Sequence, residues 1–182
     1  VEAVQRLETA IKSGDPASIF KQTRRAWSKM KEARLEVAFA TLFAEGLLRL
    51  PSKGDDADLI TRIALLSPLY EQAARTDVDN PLLKSAQSVA IGEPKAIAAL
   101  PLTTAIEAAF SGDHVPHYLS EMVKENRLGE AILRAMALTA TGANGDAGAV
   151  QSGLAFLRSV GLEDTARRTA LQLLLLDRLD QG

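Results

Sequence analysis

The sequence predicts an all-α fold, and three observations predict it. Its apolar content rests on Ala and Leu, which favour helices, while the aromatic residues that fill sheets make up only 4%. Apolar residues recur at spacings of three and four along most of the chain. Gly, Pro, Asp and Asn fall between those runs in the order that stops one helix and starts the next. Two architectures satisfy these observations: an irregular α-solenoid of antiparallel helical hairpins, and a globular multi-helix bundle.

The first run places Val4, Leu7 and Ile11 on one face, and Gly14 stops it. Asp15 and Pro16 then supply an N-cap and a first-turn proline, so a second helix starts within three residues and the pair forms a hairpin. The second helix aligns Ile19, Thr23, Ala26, Trp27 and Met30, with either a break or a continuation around residues 31–33. Leu35, Ala38, Phe39, Leu42, Phe43 and Leu47 form the clearest apolar stripe, the expected central core helix, which ends before Pro51. Asp55 or Asp56 caps a helix carrying Leu59, Ile60, Ile63 and Leu66, which Ser67-Pro68 restarts or kinks.

Asn80-Pro81 repeats the cap-plus-proline signal for a helix with Leu82, Ala86, Val89 and Ala90, ended by Gly92. Two short helical pieces are expected next, from Pro94 to about Leu100 and from Pro101 to Phe110, with Gly112 closing the second. A helix from Pro116 holds Leu119, Met122 and Val123, and Asn126-Arg127 turns the chain into one with Leu128, Ile132, Ala135 and Leu138. The glycines and the Asn-Gly pair of residues 141–148 predict a surface loop. Val150, Leu154, Leu157 and Val160 form the next helix, Gly161 stops it, and the last helix runs from Glu163 to Leu179. Leu173 to Leu176 cover more of its circumference than one core contact needs, which suits a partner seam or a buried terminal helix.

Gly112-Asp113 and Gly145-Asp146 each open a helical hairpin, 33 residues apart. Met122 and Phe156, Val123 and Leu157, and Leu128 and Leu162 match at a spacing of 34. The segment from Val160 to Ala170, with small Ala residues where helices pack closely, resembles the second helix of a solenoid hairpin. In this period the stretch from Gly112 to Leu179 resembles tetratricopeptide-type repeats, and the resemblance implies a stack of helix pairs. That family's Trp, Leu-Gly and Tyr signature does not appear in order, and the N-terminal half shows no matching period.

The 182 residues, 47% hydrophobic and 24% charged, suffice for a single domain over 1–182 with a substantial core, a subdivision being conceivable near 111–115. Opening on Val1 without a leader, the chain reads as a fragment or processed part of a longer one. The absence of Cys excludes disulfides, thiol catalysis and Cys-ligated metal, and it suits cytoplasmic and periplasmic or other extracytoplasmic settings alike. No apolar run is long enough for a membrane span, and a net charge of −2 gives the whole molecule no reason to seek nucleic acid.

Chemistry-bearing residues are few. His114 and His117 lie three apart, and His117 and Glu121 share a helix face, a spacing compatible with a metal or acid–base pair. A catalytic zinc site needs three protein ligands, and a helix start with an exposed His accounts for the same residues. From Lys21 to Arg34 the chain carries six basic residues and one acid, with Lys21, Arg24, Arg25, Lys29 and Lys31 opposite the apolar side. They form either a solvated face or a site for an anionic ligand or acidic partner. Trp27 is either a surface anchor or a residue at the core edge beside Met30. No phosphate loop, nucleophile elbow or cofactor signature is present. The leading expectation is a non-catalytic scaffold for a protein partner or the remainder of its own chain. A metal-dependent hydrolase at His114, His117 and Glu121 and an anion binder at 21–34 are the alternatives.

Overall fold

The computed structural model describes residues 2–112, 114–141 and 145–176, which form eleven helices and no strand. Among them no helix is long and apolar enough to cross a membrane. The chain clusters into two compact units, Val1–Leu83 and Lys84–Gly182, and the 111–115 segment lies within the second.

In the first unit α1 (Glu2–Ser13) and α2 (Pro16–Glu32) form a hairpin. Gly14 takes φ +72°, a left-handed turn that L side chains resist, and the Asp15 carboxylate accepts the Ser18 N–H at 2.9 Å. A break follows α2. Arg34 adopts φ +56°, and the Leu35 N–H donates to the Met30 carbonyl at 2.9 Å, the long bond of a Schellman closure. From there α3 (Glu36–Leu48) packs between α2 and α4 (Asp55–Leu65).

The buried face of α3 consists of Glu36, Phe39, Ala40, Phe43, Ala44 and Leu47. This corrects the expected stripe: Leu35 and Ala38 are exposed, and Leu42 is 74% exposed. Apolar residues surround α3 almost completely, so periodicity alone did not select its inner side; packing of Phe39 against Trp27 and Phe43 did. Gly54, at φ +57°, occupies the N-cap of α4, and Asp55 and Asp56 fall in the first turn, where their charge suits the helix dipole. At Ser67-Pro68 the helix stops, with Ser67 Oγ donating to the Ala64 carbonyl and accepting the Leu69 N–H, before the short α5 (Tyr70–Ala73). The Thr61 and Thr76 hydroxyls meet at 2.7 Å, which pairs a polar group on the buried side of α4.

α6 (Pro81–Ala90) begins under an Asn80 cap, whose Oδ1 accepts the Leu82 and Leu83 N–H groups. The helix expected from Pro94 to Leu100 is absent: residues 93–100 run non-helically to α7 (Pro101–Ser111). The reason lies in side-chain acceptors. Ser88 Oγ accepts the Lys95 N–H at 2.8 Å, Ser85 Oγ that of Ala98 at 2.9 Å, Glu107 Oε2 that of Ala96 at 3.2 Å, and Thr103 Oγ1 that of Leu100 at 3.1 Å. These bonds replace the i−4 carbonyls a helix would have provided. Pro101 also holds Leu100 extended, at φ −110° and ψ 149°.

In the second unit α8 (His117–Lys124), α9 (Leu128–Thr141), α10 (Ala147–Ser159) and α11 (Glu163–Leu175) follow, and α10 packs against α7, α9 and α11. Its buried residues Val150, Leu154, Phe156 and Leu157 are the centre of that unit's core. Each such side chain contributes about 1.5–3 kcal/mol by leaving water. Leu171, Leu174 and Leu175 are buried as well, so this stretch of the Leu-rich last helix faces its own unit; residues 177–182 lie outside the described residues.

The α8–α9 and α10–α11 turns close alike. Arg127 N–H donates to Met122 O around Asn126 at φ +60°, and Leu162 N–H to Leu157 O around Gly161 at φ +83°. Matched through these turns, equivalent residues stand 35 apart, one more than the spacing of 34 read from the sequence. The leading helices also differ, α8 having 8 residues and α10 13.

Candidate functional site

Two regions carry the sequence-predicted side chains. On α8 and the loop before it, His114 is exposed and its ring lies over Gly112, 3.2 Å from where a β-carbon there would stand. His117 points elsewhere: its Nε2 is 3.4 Å from Glu121 Oε1, on a side chain 86% exposed. The same Glu121 oxygen accepts from Lys124 Nζ at 2.7 Å. That hydrogen bond and the lysine's charge, with a smaller contribution from His117, hold the Glu121 carboxyl below its ordinary range. Glu121 is thus a committed surface carboxylate. No group of three or more His, Cys, Asp or Glu side chains converges among the described residues; Asp113 lies outside them.

The basic helix is α2. Lys21, Arg25 and Lys31 are exposed on its outer side, Arg24 is ion-paired with Asp56 of α4, and Lys29 pairs with Glu32 at 2.8 Å. Trp27 lies on the opposite side, 8% exposed, its ring centroid 6.0 Å from that of Phe39. Of the two expectations for Trp27, a surface anchor beside the five cations and a residue at the core edge, the structure gives the second: the indole belongs to the core.

Two features were not legible in the sequence as sites. The first is a groove between α1 and α2, made of two open depressions of about 370 and 440 Å³. Glu2, Arg6 and Gln22 border both, Ser13, Ser18, Thr9 and Gln5 line the end near the turn, and Arg25, Ser28 and Lys29 the other. Arg6 is ion-paired with Glu2. Arg25 has no ion pair among the described residues.

The second is the outer side of α9. Leu133, Met136, Ala137 and Ala140 are all exposed there, spaced i, i+3, i+4 and i+7, so they form one stripe opposite the buried Ala131, Ala135 and Thr139. Beside it Glu130 accepts from Arg127 and Arg134 at 2.7 and 2.9 Å. These bonds depress the Glu130 carboxyl, and those to Glu125 and Glu130 raise the Arg127 guanidinium. The sequence does not single out this stripe, because Leu128, Ile132, Ala135 and Leu138 repeat as regularly; of these Ala135 is buried, Ile132 and Leu138 are half-buried and Leu128 is 43% exposed, which corrects the expected face.

No protein-family model, curated protein or solved structure matches this chain.

Proposed function

We propose that the chain is a non-catalytic helical interaction module, a set of stacked hairpins that docks another protein, or a further part of its own chain, on the outer side of α9. The observation that carries this reading is the water-facing stripe, in which Leu133 is 67% and Met136 51% exposed. An i, i+3, i+4, i+7 series is how one helix anchors in the groove of another. Covering Leu133 and Met136 would stabilise a complex by about 1.5–3 kcal/mol for each fully buried side chain. Ala137 and Ala140 let the partner's backbone approach closely beside them.

The test is affinity capture from the native extract with the wild-type chain and with Leu133→Asp/Met136→Asp as baits, at low and at moderate salt. A discrete protein held by the wild type at both salts and lost by the variant supports the module. Equal retention by both baits, or no retention by the wild type, overturns it. Both positions are exposed, so the variant is expected to keep the wild-type circular dichroism spectrum and melting temperature.

A further inference from the structure

The α1–α2 groove lies in the first unit, on other residues than the α9 stripe. Charge is segregated along this chain. Residues 1–34 hold eight Lys or Arg against four Asp or Glu, whereas residues 35–182 hold thirteen against nineteen. On a chain whose net charge is −2, the first hairpin is therefore a local cationic element.

The groove concentrates that charge beside hydrogen-bonding side chains. The two depressions share Glu2, Arg6 and Gln22 in their lining, so together they follow α2 from Ser18 near the turn to Lys29. From Ser18 to Lys29 the helix rises roughly 16 Å at 1.5 Å per residue, the length of about five extended residues. The groove is open along its side, and such a surface leaves a small ligand mostly in water, whereas a chain laid along it makes contacts over the full length. At one end the Ser18 hydroxyl and the Gln5 and Gln22 amides match the donors and acceptors of a peptide backbone, while the Ser13 hydroxyl donates to the Ala10 carbonyl of its own helix. At the other end, among the described residues, Arg25 has no ion pair and Lys29 pairs only with Glu32 three residues on, an exposed pair that solvent screens. Both cations are thus available to a ligand carboxylate at little cost.

We infer that this groove binds an extended acidic peptide segment, with acidic side chains on Arg25 and Lys29 and backbone running past Gln22 toward Gln5 and Ser18. Duplex nucleic acid suits it less well: Arg24 is engaged by Asp56, and phosphate recognition draws on more cations than Arg25 and Lys29 supply.

Fluorescence anisotropy on the full chain tests this, with a fluorescein-labelled alternating Glu-Ser peptide of about eight residues as the probe. Wild type is expected to bind at low salt. Arg25→Glu/Lys29→Glu should weaken binding by about tenfold or more, and Lys53→Glu/Lys95→Glu, which makes the same change in net charge at exposed sites elsewhere, by less than about threefold. Equal weakening by the two variants would reduce the effect to net charge and overturn the proposal, as would absence of wild-type binding. Tighter binding of a labelled DNA duplex, lost in Arg25→Glu/Lys29→Glu, would assign the groove to nucleic acid instead. Since the α9 stripe is intact in these variants, loss of peptide binding with partner capture unchanged separates the two surfaces.

Discussion

The backbone carbonyl of Ala135 on α9 lies 2.6 Å from where a β-carbon on Gly153 of α10 would stand. The Thr139 methyl is at 2.7 Å from the same point, so the two helices meet at a place that only a residue without a side chain can fill. Backbone atoms cannot rotate out of the way. Gly153→Ala is therefore expected to destabilise the protein by about 1–3 kcal/mol, read from the urea midpoint. Gly46→Ala is the matched control: nothing lies within 4 Å of its β-carbon position on α3, and helix propensity predicts a gain of up to about 1 kcal/mol.

Arg158 joins three elements of the second unit. Its Nη1 donates to the Ala109 carbonyl near the end of α7 at 2.9 Å, its Nε to Glu163 at 2.9 Å, and its guanidinium sits 4.5 Å above the Phe110 ring. Only a planar fork makes all three contacts at once. Arg158→Lys should cost about 1–2 kcal/mol in chemical denaturation despite the retained charge. A cost no larger than that of an exposed Arg→Lys change such as Arg49→Lys would show that these three contacts carry no stability.

Acid should remove the exposed ion pairs of Glu121 within α8 and of Glu130 in the first turns of α9, with a modest effect on stability. The Glu121 and Glu130 carboxyls are depressed by Lys124 and by Arg127 and Arg134, so the folded state holds their protons less tightly than the unfolded chain. Their stabilisation is complete above the ordinary carboxylate range and is lost as pH falls through the lowered values. Melting temperature should drop on that descent, and the drop should be shallower in Glu121→Gln/Glu130→Gln, measured by calorimetry against pH. An unchanged slope would remove these pairs from the acid response.

The two sides of α3 should respond differently to truncation. Phe39→Ala removes a 2% exposed ring that contacts Trp27 and Phe43 and should cost about 3–5 kcal/mol. Leu42→Ser, three residues away on the exposed side, should stay within about 0.5 kcal/mol, checked by the same unfolding curves.

Helix punctuation was the most legible part of the sequence. Gly14-Asp15-Pro16, Asn80-Pro81 and Gly161 act through the local backbone, and each starts or stops a helix where it was read to do so. Faces were harder wherever a helix is apolar all round: Leu42 on α3 and Leu133 on α9 have the same composition as the buried residues beside them, and only the neighbouring helix distinguishes them. The helix expected from Pro94 to about Leu100 does not form: its Ala-rich composition favours a helix, but the acceptors of its N–H groups, Ser85, Ser88, Thr103 and Glu107, lie on the flanking helices. As for the sites, the cations of α2 were visible in the sequence, but the groove they share with α1 arises only when Glu2, Arg6 and Gln22 are brought together across the hairpin.

The tethering of segment 93–100 has a consequence for isotope exchange. The amide protons of Ala96 and Ala98 are bonded to Glu107 and Ser85 rather than to backbone carbonyls, so they should resist deuterium although the segment contributes no helical ellipticity. A helix content derived by counting slow amides will therefore exceed the one derived from circular dichroism. Replacing Ser85 by Ala should bring the two nearer, because it removes the acceptor that protects Ala98 while leaving the helical dihedral angles of α6 unchanged.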